Sequence, residues 1–154
     1  MELLDLLSLE GLKTRLLKLP NLSARDNRTN EDLRLLSRPG AWLLDYTYTI
    51  QYVLHGDVTR KFTKRSYMAV PNGVLAHIAR FCFADCQRGC KKEERLGYEI
   101  EHAAWLALEA DECCLVVALA WHARRLRDAD VAGWPRRRAD EAGGILVDPA
   151  AAAG

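Results

Sequence analysis

The segment Gly97–Arg125, GYEIEHAAWLALEADECCLVVALAWHARR, constrains the fold more than any other part of this chain. It reads as two strands folded over a short acidic turn. Along the first, Tyr98, Ile100, His102, Ala104, Leu106 and Leu108 point one way and Glu99, Glu101, Ala103, Trp105 and Ala107 the other, because side chains alternate across a strand. A surface sheet needs one apolar face. Here both faces turn apolar after Ala103, and the return strand Cys113–Trp121 is apolar on both from its start. Such a surplus calls for a cover beyond the fold's own helices, and a partner subunit is the expected one.

The rest of the chain supplies the remainder of an α+β domain, with a mainly antiparallel sheet, an N-terminal helix, a central helix and an extended C-terminal tail. Leucines at near-helical spacing predict an amphipathic helix over residues 2–18, with a weak point at Gly11 and a stop at Pro20. A polar loop follows, Asn21–Asn30, then a short strand Leu33–Ser37 closed by Pro39-Gly40. Ala41–His55, AWLLDYTYTIQYVLH, is the clearest strand, with Trp42, Leu44, Tyr46, Tyr48, Ile50, Tyr52 and Leu54 on one face. Its expected partner is the basic strand Thr59–Met68. Pro71-Asn72 opens a helix predicted over 72–88. Residues 1–127 read as one domain, and 128–154 as a tail rich in Ala, Gly, Asp and Pro.

The 154 residues carry a net charge of +1, which gives no overall basic field for nucleic acid. Charge is segregated instead: residues 1–95 hold 16 Lys/Arg against 11 Asp/Glu, and the remainder 6 against 10. The N-terminus shows no signal-peptide pattern, no run reaches the roughly 20 apolar residues of a membrane span, and five cysteines suggest reduced thiols in a cytoplasm. Cys82, Cys86 and Cys90 form C-x3-C-x3-C, but a straight helix cannot wrap three thiolates around zinc. Buried, apolar roles suit them better, and no metal or cofactor is expected. Glu99 and Glu101 read as a solvated strand edge rather than a paired-carboxylate site. No phosphate loop, nucleophile elbow or H-E-x-x-H helix is present, so no catalytic residues are assigned and the chain reads as a non-enzyme. A small enzyme would have to use His102, His122 and Glu101; a nucleic-acid module would use Arg60–Arg65 and Arg136–Arg138.

The segment 97–122 contains five acidic residues and no Lys or Arg, whereas the earlier strand 59–68 carries four basic residues and no acidic one. These are natural complements, either within the sheet or between neighbours in a ring. The expected subunit contact therefore sets Trp105, Val116, Ala118 and Trp121 against Arg60, Lys61, Lys64 and Arg65.

The strand DYTYTIQYVL (Asp45–Leu54), the V-P-x3-L helix entry (Val70–Leu75), and GYEIE followed by an acidic turn and an apolar return strand together resemble the tail completion proteins of contractile-tailed temperate phages. The resemblance spans residues 10–127, and the basic TRKFTKRSY link departs from it. It implies a tail terminator: a homo-oligomeric, hexameric ring in the virion tail and neck, assembled in the host cytoplasm. Such a ring caps the tail tube protein, stops tube and sheath growth and meets the head connector. DNA passes through it and no membrane is involved. The alternatives within reach are another neck or connector adaptor, or a small nucleic-acid-binding module.

Overall fold

The computed structural model describes residues 3–22, 28–54, 69–83 and 92–129. Every regular element among them is helical, and no strand occurs. The expected α+β architecture with a mainly antiparallel sheet is therefore corrected to an all-helical one. A 3-10 turn, Leu3–Leu6, precedes α1 (Leu9–Leu16), α2 (Asn30–Leu54), α3 (Asn72–Cys82), α4 (Glu93–Glu109) and α5 (Cys113–Ala129).

The first correction concerns residues 33–55. A spacing of four residues is two strand periods and also about one helical turn, so Leu44, Tyr48 and Tyr52 fit both patterns. The positions that decide lie between them. On a strand Trp42, Tyr46, Ile50 and Leu54 would share the buried face with that trio; on a helix neighbours two apart lie about 200° apart. The chain is helical, with Leu33, Ser37, Gly40, Leu44, Tyr48 and Tyr52 buried, and Trp42, Tyr46, Ile50 and Leu54 exposed. One apparent strand face is in fact two helical stripes on nearly opposite sides.

Neither Pro39 nor Gly40 ends this helix. A mid-helix proline removes one hydrogen bond, at a cost on the order of 3 kcal/mol. Pro39 and Leu35, one turn before it, are both exposed, so water can reach the freed backbone. Gly40, facing the other way, lets α2 close on α4. At the start of α2 the Thr29 hydroxyl accepts from the Asp32 N–H (3.1 Å), and Glu31 and Asp32 lie in the first turn, where carboxylates offset the helix dipole.

The second correction concerns the segment 97–122. It is a pair of antiparallel-connected helices, and the acidic turn is a helix–helix joint. Asp111 adopts a left-handed backbone (φ 60°). Its N–H donates to Leu108 O (3.1 Å) and the Glu112 N–H to Ala107 O (2.8 Å), the double bond pattern that closes a helix C-terminus. The surplus of apolar faces has an internal owner: α4 packs against α2, α3 and α5, so it is covered on most sides. Leu96, Ile100, Ala103, Ala104 and Ala107 are all fully buried.

The N-terminal region packs onto this bundle. The predicted break at Gly11 falls earlier, at Ser8, whose hydroxyl caps α1 by accepting from the Gly11 N–H (3.0 Å). Leu6, Leu12 and Leu16 enter the core, and Arg15 pairs with Glu112 at the α4–α5 joint. α3 begins at Asn72 after Pro71, as the proline predicts. No helix among the described residues is long and apolar enough to cross a membrane.

Candidate functional site: the outer face of the long helix

The polar groups that the sequence marks out for chemistry are engaged within the fold. His102 on α4 is buried; its ring meets the backbone of Leu36, near the Pro39 interruption of α2, while its Nδ1 has no hydrogen-bond partner. His122 on α5 is buried with Nε2 2.7 Å from Leu6 O. The two rings thus serve different elements instead of sharing a site. Burial lowers the pKa of each below the ordinary imidazole value; Arg28 adds to this at His102, and for both rings the backbone hydrogen bond opposes it. Glu99 and Glu101 do not share a solvated edge. Glu99 is fully buried and pairs with Arg95 (3.6 Å), while Glu101 is half-buried. Arg95 also donates from Nη1 to Arg28 O and Asn30 Oδ1, both 2.9 Å, tying α4 to the entry of α2.

A second polar cluster joins α2 to the end of α5. The Tyr52 hydroxyl donates to Asp128 Oδ1 (3.0 Å) and accepts from Arg127 Nη1, and the Arg127 guanidinium lies 5.0 Å from the Tyr52 ring centroid. Tyr48 stacks edge-on against Tyr52 at 5.1 Å. Burial pushes both phenols above their usual range, so they act as neutral hydroxyls. Among the cysteines, Cys82 lies in the core and burial pushes its thiol up to about 12, the apolar role expected of it. Cys86 and Cys90 lie outside the described residues. Cys113 and Cys114 are both exposed at the start of α5. No group of three metal-ligating side chains occurs among the described residues.

Four of the residues expected at a subunit contact fall within the described residues. Val116 and Ala118 are buried in the chain's own core. Trp105 and Trp121 are half-buried; Trp121 packs edge-on against His122 (4.9 Å) and under the Arg125 guanidinium (4.9 Å). Arg60, Lys61, Lys64 and Arg65 lie outside the described residues, as do Arg136–Arg138 and the tail from residue 130.

Among the described residues, the longest row of exposed apolar side chains lies elsewhere, on α2. Leu35 (50% exposed), Trp42 (83%), Tyr46 (64%), Ile50 (38%) and Val53 (49%) follow one another at helical spacing, with Leu54 (77%) at the end. Single exposed apolar residues are ordinary, but a contiguous row with two aromatics marks an interaction site. The row is also free of charge over its C-terminal half. Asp45 is the only charged residue from Pro39 to Leu54, and its carboxylate accepts from the Val70 N–H (2.9 Å). Toward the N-terminus the same helix carries Glu31 and Arg34, paired at 2.6 Å, and the exposed Arg38. The site is thus a charge-free aromatic and aliphatic face about four turns long with a charged margin at one end. Comparison with protein-family models, with curated proteins and with solved structures gives no match.

Proposed function

We propose that this protein works by docking: a helical scaffold that presents the outer face of α2 to a protein partner, without chemistry of its own. The observation that carries this reading is the row from Trp42 to Leu54, exposed on a helix whose opposite side is the core. Aromatic side chains of this kind are the usual anchors of protein interfaces. The engagement of His102, His122 and Glu99 in hydrogen bonds or ion pairs supports a structural role for them.

The narrower reading, a ring that caps a phage tail tube in the virion, remains a proposal carried by the sequence pattern. Asp45–Leu54 and Gly97–Trp121 are helical apart from the Ala110–Glu112 joint, so the strand and hairpin behind that pattern do not support it. What favours an assembly role is the exposed apolar surface, now on α2. Electron microscopy of the purified protein tests that narrower reading: a closed ring would support it, and particles no larger than a dimer would count against it.

The docking reading is tested by a photo-crosslinking amino acid at position 46, introduced in the producing cell, with position 18 on the exposed end after α1 as control. A protein adduct at 46 and none at 18 is the expected result. Absence of any adduct at 46 overturns the reading.

A further inference from the structure

The partner that the α2 face fits is a second copy of this chain. We infer that α2 packs antiparallel on the α2 of another copy, with the two Tyr46 side chains at the twofold axis. The inference rests on the docking reading and gives that site its occupant.

Three features of the face favour this occupant. The first is shape. Within the stretch Trp42–Leu54, the aromatics, Trp42 and Tyr46, lie toward the N-terminal side of the face and the aliphatics, Ile50, Val53 and Leu54, toward the C-terminal side. An antiparallel pair centred on Tyr46 sets Trp42 of each copy on Ile50 of the other, large against small, whereas a parallel pair would set aromatic on aromatic and aliphatic on aliphatic. A twofold contact of this kind is isologous, with the same patch used twice.

Charge is the second. The centre of the face has no exposed charge to repel its own image, so self-pairing incurs no like-charge penalty. At the margin, the same register brings the exposed Arg38 of one copy to the C-terminal turn of the other's α2. That turn holds no basic residue of its own, and the C-terminal end of a helix dipole favours a cation.

The third is area. Taking about 150–250 Å² for each side chain, the exposed fractions of the five row residues from Trp42 to Leu54 amount to roughly 470–780 Å² per copy. A standard interface buries about 800 Å² per partner, with flanking residues included. The row is therefore close to what a stable dimer needs.

The test is sedimentation equilibrium of the full chain at tens of micromolar, with W42E/Y46E and R38E variants and, as control, L4E/L17E on the exposed N-terminal leucines. Wild type and control are expected at twice the 17.3 kDa chain mass, W42E/Y46E at the chain mass with unchanged far-UV circular dichroism, and R38E with at least a several-fold weaker dimer. A crosslinker at position 46 in a mixture of heavy- and light-isotope chains should give heavy–light adducts within α2. A monomeric wild type, or a W42E/Y46E variant that stays dimeric, overturns the inference. Adducts to the same chain's residues 130–154 overturn it too. Adducts only to a different protein overturn the self-pairing and leave the docking reading standing, whereas no adduct at all overturns both.

Discussion

Gly40 of α2 lies directly against the carbonyl of Glu101 in α4: a Cβ placed on Gly40 would fall 1.7 Å from Glu101 O and 3.3 Å from Trp105 N. The obstacle is backbone, which cannot rotate aside as a side chain can. The approach of the two helices, and with it the direction in which the α2 outer row faces, depends on the missing side chain.

Gly40→Ala should therefore destabilise the fold. Alanine favours a helix over glycine by about 1 kcal/mol, but separating α2 from α4 costs about 1–3 kcal/mol or more. A net loss of stability in urea unfolding is expected, and an unchanged or raised midpoint would refute the close approach.

Tyr48 and Tyr52 should respond differently to removal of the hydroxyl. Tyr52→Phe takes a partner from the buried Arg127 and from Asp128, a loss of about 1–3 kcal/mol. The Tyr48 hydroxyl is buried with no hydrogen-bond partner, so Tyr48→Phe should lie within about 0.5 kcal/mol of wild type or above it. Denaturant midpoints of the two variants make the comparison.

The buried histidines predict a mild acid sensitivity. Both have folded-state pKa values below the ordinary 6.5. The unfolded chain therefore binds more protons than the folded one just below that value, and stability falls as pH drops. Their contribution is full above the unfolded value of about 6.5 and is lost as pH falls through the folded values. Arg28 and Glu109 face His102 with opposite effects, and Arg125 adds to the depression at His122. Urea midpoints should decline from pH 7.5 to 5.5, and the decline should be smaller in His102→Gln and His122→Gln. A flat profile in the wild type would count against neutral buried imidazoles.

Ala118 separates core from interface. It is fully buried on α5, so Ala118→Leu should cost about 1–3 kcal/mol by overpacking while the folded fraction keeps its oligomeric mass. If the variant instead kept its stability and changed only its mass in sedimentation, Ala118 would belong to a subunit contact after all.

The helix that begins after Pro71, the leucine-rich N-terminal helix and the burial of Cys82 were legible in the sequence because each depends on local signals: a proline at a helix entry, leucines at turn spacing, an apolar thiol in an apolar run. The docking row was not. Trp42, Tyr46, Ile50 and Leu54 of that row read as one strand face with Leu44, Tyr48 and Tyr52, since an every-second-residue pattern with β-branched and aromatic residues is the strand signal. A hint was available. Alternation that runs unbroken from Trp42 to Leu54 also divides into two helical stripes, and the long sequence without a glycine or proline after Gly40 allows a helix of that length.

Composition and spacing by themselves determined where apolar side chains are dense, where α3 starts, and that 97–122 carries more apolar surface than one face can hold. Which neighbour covers that surface was decided by the tertiary structure. A helix at the centre of a bundle meets other helices on several sides, so α4 buries its surplus within the chain, against α2, α3 and α5. On α2, which has the core on one side only, the same kind of surplus is left outward as the row from Trp42 to Leu54. Local preference cannot distinguish these two outcomes, because burial is a property of the packed arrangement and each helix's place in it.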